Sequence, residues 1–177
     1  MIGVLVSGEG TNLQALLDAD LPVAAVASNR VGVPALSRAQ RAGVPAAVFA
    51  LDEYPTRDER DASMASWLEE HGTEVVVCAG YMHLLTPSFL DRFPERIVNV
   101  HPSLLPHFPG ARAIEAALAA GVETTGVTIH LVDDGLDSGP IMRQEPVPVE
   151  PRATLAERLH AVEHRLLPEV VRQLCAR

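Results

Sequence analysis

Residues 2–12, Ile2-Gly3-Val4-Leu5-Val6-Ser7-Gly8-Glu9-Gly10-Thr11-Asn12, decide how the chain is read. Ile2–Ser7 is a short apolar run that stops at a glycine, the pattern of a buried parallel strand. Asn12–Asp18 places Leu13, Leu16 and Leu17 on one helical face. The loop between them is built from small residues at a helix start. Such a loop lets the backbone approach an anion, and the helix start offers unpaired N–H groups and the positive end of a dipole. Thr11 and Asn12 add a hydroxyl and an amide. A tight turn capped by Thr or Asn accounts for the same residues without a ligand. A dinucleotide fingerprint would need Gly at position 13, where Leu13 stands, and an acidic residue where Ser28-Asn29 is found. A monophosphate fits the loop better, provided that Glu9 faces solvent.

Outward from this unit, strands and helices alternate. Pro22–Ser28, Pro45–Phe49, Glu74–Ala79 and Arg96–His101 read as strands; Val33–Ala42, Arg57–His71 and Pro87–Arg92 read as helices. This rhythm implies right-handed βαβ units. After His101 a Pro-rich loop leads to an Ala-rich helix ending near Gly121. Thr124–Val132 and Pro140–Val147 then read as an antiparallel hairpin, and Thr154 to about Leu174 as an amphipathic helix bending at Pro168. The predicted class is α/β: a Rossmann-like, doubly wound, mostly parallel sheet with a C-terminal antiparallel hairpin and closing helix. Residues 1–177 are expected to form one domain, with a nucleotide-binding βα half (1–100) and a second half (101–177) holding the Pro-rich loop, hairpin and last helix.

Composition narrows the function. The chain has 177 residues, 47% hydrophobic and 4% aromatic, with 14 basic against 23 acidic residues for a formal charge of −9. That charge argues against non-specific nucleic-acid or anionic-membrane binding. No apolar run approaches the roughly 20 residues of a membrane span, and the N-terminus lacks the features of a secretory signal. Cys78 and Cys175 make no disulfide framework. A cytoplasmic setting is expected.

Asn99-Val100-His101-Pro102 is the stretch richest in chemistry. On a strand, positions 99 and 101 share a face. At the carboxyl end of a parallel strand, that face opens on the crevice where α/β sheets bind ligands. The amide can donate to a carbonyl oxygen or oxyanion, and the imidazole can move protons near neutral pH. Asp133-Asp134-Gly135-Leu136-Asp137 forms a second polar cluster, without the spacing of a calcium loop. His101, His107 and His130 match no familiar zinc spacing, so no metal is expected. Ser7, Ser103 and Ser138 lack a nucleophile elbow.

Taken together, SGEGTNLQ (7–14), GYMHLL (80–85), NVHPSLLPHFPG (99–110) and VDDGLDSGPI (132–141) resemble the folate-dependent phosphoribosylglycinamide formyltransferase family. The resemblance implies a catalytic trio of Asn99, His101 and Asp137, and a substrate-phosphate loop of Gly10, Thr11 and Asn12. It implies folate contacts from Arg57, Met82, His83, Leu84, Leu85, Asn99, Asp133, Asp134, Gly135, Leu136 and Asp137. Ribonucleotide contacts fall on His160, Ala161, Val162 and Glu163. The reaction implied is formyl transfer from 10-formyltetrahydrofolate, as co-substrate, to a primary amine in purine biosynthesis. Direct attack is expected, since no residue is placed as a covalent nucleophile. Asp137 would orient His101 and help carry the proton, and the pterin would lie against Met82, Leu84 and Leu85. The partners implied are small molecules, with the protein a monomer or homodimer.

Two departures from the family pattern stand out. Arg112 occupies a position where the family usually has His, and Leu17–Pro34 is shorter than the family's usual length. Formyltetrahydrofolate hydrolases share the Asn/His/Asp arrangement but carry an extra N-terminal domain. Methionyl-tRNA formyltransferases add a C-terminal RNA-binding domain. A non-catalytic folate or nucleotide sensor is the reading from a different class.

Overall fold

In the computed structural model, which describes residues 1–176, the N-terminal apolar run is β1 (Ile2–Val6) and the following helix α1 (Thr11–Asp18). The chain continues through β2 (Val23–Ser28), α2 (Pro34–Arg41), β3 (Ala46–Val48), α3 (Arg57–Glu70), β4 (Val75–Cys78), α4 (Pro87–Leu90) and β5 (Ile97–His101). It ends with α5 (Ala113–Ala120), β6 (Thr124–Leu131), β7 (Ile141–Pro148) and α6 (Leu155–Cys175). Single 3-10 turns at Leu51–Glu53 and Arg152–Thr154 were not legible from the pattern. The α4 helix stops at Leu90, two residues before the predicted end.

One seven-stranded sheet runs in the order β3-β2-β1-β4-β5-β6-β7. The first five are parallel; β6 pairs antiparallel with β5, and β7 with β6, as the hairpin pattern predicted. Strand order reverses between β1 and β4, which makes the loops after these two strands the walls of a crevice.

The pleat divides the core into two layers. Val4, Val77, Val98, Val100 and Ile129 face one side, packed with Leu13 and Leu16 of α1, Ala35 and Ala39 of α2 and Leu159, Leu166 and Leu167 of α6. Leu5, Val76 and Ile97 face the other, packed with Met64 and Leu68 of α3 and Phe89 and Phe93 around α4. Each fully buried Leu stabilises the fold by about 1.5–3 kcal/mol. The α3 helix starts at Thr56, whose hydroxyl accepts from the Glu59 N–H at 3.2 Å. The α6 helix continues without interruption through the buried Pro168.

Candidate active site

A cavity of about 490 Å³ opens at the strand reversal. Its walls are Gly8–Asn12 after β1, Cys78–Leu85 after β4, Asn99–Pro102 of β5, Val132, Asp133 and Gly135–Asp137 after β6, and His160 and Glu163 of α6. Because β4 lies between β1 and β5, the strand that leads into the Gly10–Asn12 loop and the strand that carries Asn99 run about 10 Å apart, two strand spacings.

At the β1 end, Gly10 precedes α1 with φ 72°, and no side chain caps the helix. The first-turn N–H groups of Thr11, Asn12 and Leu13 are left for an outside acceptor. A Cβ at Gly10 would lie 2.6 Å from the Ala35 Cβ, so close packing on α2 also demands glycine. Glu9 is exposed, as the phosphate reading required. Ser7 fastens this corner: its hydroxyl donates to Asn29 Oδ1 at 2.7 Å and accepts from the Met82 N–H at 2.9 Å. Asn12 Nδ2 donates to Glu163 Oε2 at 2.9 Å, joining two predicted substrate residues from α1 and α6. Burial pushes the Glu163 carboxyl above its ordinary pKa, against the opposing Asn12 hydrogen bond and the His160 charge.

At the β5 end, Asn99 pairs across the sheet with His130 of β6, so both side chains share a face. Asn99 Nδ2 lies 3.2 Å from His130 Nε2 and 3.3 Å from Asp137 Oδ1. Both contacts are long, and an incoming oxygen can compete for either hydrogen. Asp137, at φ 50°, turns its carboxylate inward, where Oδ2 accepts from the Gly110 N–H at 2.8 Å. His101 Nδ1 stands 3.4 Å from Oδ2, and His130 Nε2 3.5 Å from Oδ1. Burial alone would raise the Asp137 carboxyl. Bonds from His130 and Gly110 and the charges of both imidazoles outweigh it, and the pKa falls from 3.8 to about 2. Asp137 is an anion throughout the working range. It is placed to orient its neighbours as a carboxylate. His101 Nε2 lies 2.8 Å from the Phe108 carbonyl, which can only accept. With Nε2–H directed there, Nδ1 is the ring atom turned toward the Asp137 carboxylate. The hairpin pins the Pro-rich loop around it: Thr128 Oγ1 donates to Ser103 O at 2.6 Å and accepts from Leu105 N–H at 3.1 Å.

The chain that carries this crevice matches known proteins in sequence and fold. The sequence profile of the formyl transferase family matches residues 1–171. The chain belongs to this family. It is 45% identical to the phosphoribosylglycinamide formyltransferase of Mycobacterium tuberculosis, over 97% of this chain and 83% of the relative. Glycinamide ribonucleotide transformylase 1 from Symbiobacterium toebii superposes with a TM-score of 0.94 at 46% identity, covering 97% of this chain and 85% of that one. The trifunctional purine biosynthetic protein adenosine-3 of Gallus gallus is 41% identical over 94% of this chain. The chain spans only 13–18% of the length of that protein and its Chironomus tentans counterpart.

Most of the residues singled out from the sequence line this formyl transferase's cavity. Gly10, Thr11, Asn12, Met82, His83, Leu84, Leu85, Asn99, His101, Asp133, Gly135, Leu136, Asp137, His160 and Glu163 all do. Ala161 is exposed and Val162 packs against the core, both off the lining. Asp134 also lies off it, and Arg57 reaches it indirectly by donating to the Leu84 carbonyl. Arg112 is exposed at the start of α5. His130, Gly110 and Ser7 are the positions that sequence reasoning left without a role here. Among the described residues, no group of three or more His, Cys, Asp or Glu is placed to hold a metal. No described helix is long and apolar enough to cross a membrane.

Proposed function

We propose that this formyl transferase moves the formyl group of 10-formyltetrahydrofolate to the amine of 5'-phosphoribosylglycinamide in purine biosynthesis, residues 1–177 acting as a single domain. The observation that carries this reading is the meeting of Asn99, His101 and Asp137 in the same cavity as the uncapped α1 N-terminus. The substrate phosphate sits on the N–H groups of Thr11 and Asn12. Asn12 and Glu163 bond the ribonucleotide, with His160 beside them. The folate occupies the wall of Met82, Leu84, Leu85 and Leu136, aliphatic surface that suits a flat ring, with Arg57, His83, Asp133, Asp134 and Gly135 nearby.

Holding both molecules in one crevice supplies proximity. The amine nitrogen attacks the formyl carbon, and the C=O electrons move to oxygen. Asn99 Nδ2–H and the positive His101 ring stabilise that oxyanion. As the tetrahedral centre collapses, the bond to the folate nitrogen breaks. The proton lost by the amine reaches that nitrogen through water or the His101 imidazole, while Asp137 remains a carboxylate. The test is an absorbance assay of formyl-folate consumption with and without the ribonucleotide amine. Turnover only with the amine is expected. Turnover without it would make the protein a hydrolase, and none in either condition a sensor.

A further inference from the structure

One buried ion pair takes no part in the chemistry above. Arg60 and Asp61, on the first turns of α3, are both fully buried. Arg60 Nε donates to Asp61 Oδ1 at 2.8 Å, and Nη2 lies 2.7 Å from the same oxygen, off line for a second hydrogen bond. Asp61 Oδ2 accepts from the Thr86 N–H at 2.8 Å, and Arg57 grips the Leu84 carbonyl. Three neighbouring side chains of one helix thus hold the segment 83–86 that lines the cavity. Buried pairs add little net stability, since desolvation offsets their attraction. The holding of this loop is what the pair achieves.

The remaining contact gives that loop a chemical identity. Arg60 Nη1 lies 2.7 Å from His83 Nδ1. A guanidinium only donates, so Nδ1 is the acceptor and the ring proton sits on Nε2. His83 lines the cavity, and among the described residues Nε2 has no partner. Burial lowers the proton affinity of this imidazole, reinforced by Arg60, Arg57 and Arg30 and opposed by Asp61. In a chain of formal charge −9, this corner faces the ring with three guanidinium groups and one carboxylate.

We infer that Arg60 and Asp61 are positioning residues that fix His83 as a neutral Nε2–H donor at the cavity rim, the form in which it meets an acceptor oxygen of the folate. The ligand half of this inference rests on the formyl-transfer reading; the Arg60–His83 half does not. The locked tautomer supplies a donor that needs no protonation.

The test joins imidazole 15N NMR of the free protein to steady-state kinetics. In wild type, His83 is expected to show a bare Nδ1 and a protonated Nε2 that persist to a lower pH than in a free imidazole. His83→Ala is expected to raise the formyl-folate KM about tenfold, the loss of one hydrogen bond, with kcat and the ribonucleotide KM within twofold. His83→Gln, which keeps an N–H donor, recovers most of the loss. Arg60→Met strands a buried carboxylate, so R60M/D61N serves as the folded counterpart. It raises the same KM in the wild-type background and adds nothing in the His83→Ala background. A proton on Nδ1, or free-imidazole titration of His83, overturns the positioning role. An unchanged folate KM in His83→Ala overturns the binding role. Absence of formyl transfer by wild type removes the parent reading and the binding role with it, while the NMR result still decides the positioning role.

Discussion

Asp137→Asn isolates the charge at the centre of the cluster, because the amide keeps the size and can still accept from the Gly110 N–H. What it loses is the anion 3.4 Å from His101 Nδ1. At an effective dielectric of about 20, that attraction is worth about 5 kcal/mol. If about half of it develops with the transition state, kcat falls roughly 10²-fold. Both KM values should change far less, since the loss is felt when the oxyanion forms.

The same substitution has a stability signature of known sign. The side chain is 11% exposed, and its pKa falls from 3.8 to about 2 on folding. A carboxyl depressed this far adds about 2 kcal/mol to stability at neutral pH. That contribution is complete above the unfolded pKa and is lost as pH drops through the folded one. By urea denaturation, Asp137→Asn should therefore be less stable than wild type by about 2 kcal/mol at pH 7, with the gap about halved by pH 3. A variant with kcat within threefold of wild type, or a gap that does not narrow in acid, would refute the reasoning.

The other perturbations are simpler. His130→Ala removes the cross-strand partner of Asn99 and one support of the Asp137 carboxylate; kcat should drop about tenfold, and unchanged turnover would return His130 to a structural role. Gly10→Ala forces a side chain onto φ 72° and against Ala35, so a Tm loss of roughly 5 °C and a higher KM for the phosphorylated substrate are expected. A neutral outcome in both readouts would count against the phosphate loop. Glu163 has a raised pKa, so burying its charge opposes folding at high pH, and the group's favourable contribution is present only in acid. Glu163→Gln should match or exceed wild-type Tm at pH 8, lose that advantage at pH 4, and raise the ribonucleotide KM. A Tm deficit at pH 8 would contradict this.

Strand parity made Asn99 and His101 readable as a pair facing one crevice, and a glycine loop before an apolar-faced helix made Gly10–Asn12 readable as an anion site. Both signals are local. His130 is opposite Asn99 only because β6 runs antiparallel in one register, and register is a property of two strands together. Gly110 contributes a backbone N–H, which no side-chain pattern marks. Arg60 and Asp61 sit in the run RDERDASM (57–64), whose charge density reads as a solvated face. Their burial follows from the 83–86 segment folding over that face, a contact made only in three dimensions.

All fourteen basic residues of the chain are arginines, and arginine keeps its charge across any working pH. The positive corner of Arg30, Arg57 and Arg60 around His83 is therefore constant, as is Arg38, which bonds the Glu9 carbonyl at 2.8 Å beside the phosphate loop. Asp137 is constant as well, with its pKa near 2. Apart from Asp137, the groups lining the cavity that can change charge on the acid side are its imidazoles and the Glu9, Asp133 and Glu163 carboxyls. An acid limb in turnover therefore reports those groups and not the breaking of fixed ion pairs. Glu163→Gln separates the two sources. A limb that vanishes from kcat/KM for the ribonucleotide belongs to the Asn12–Glu163 contact. A limb that persists belongs to the other titrating groups of the lining.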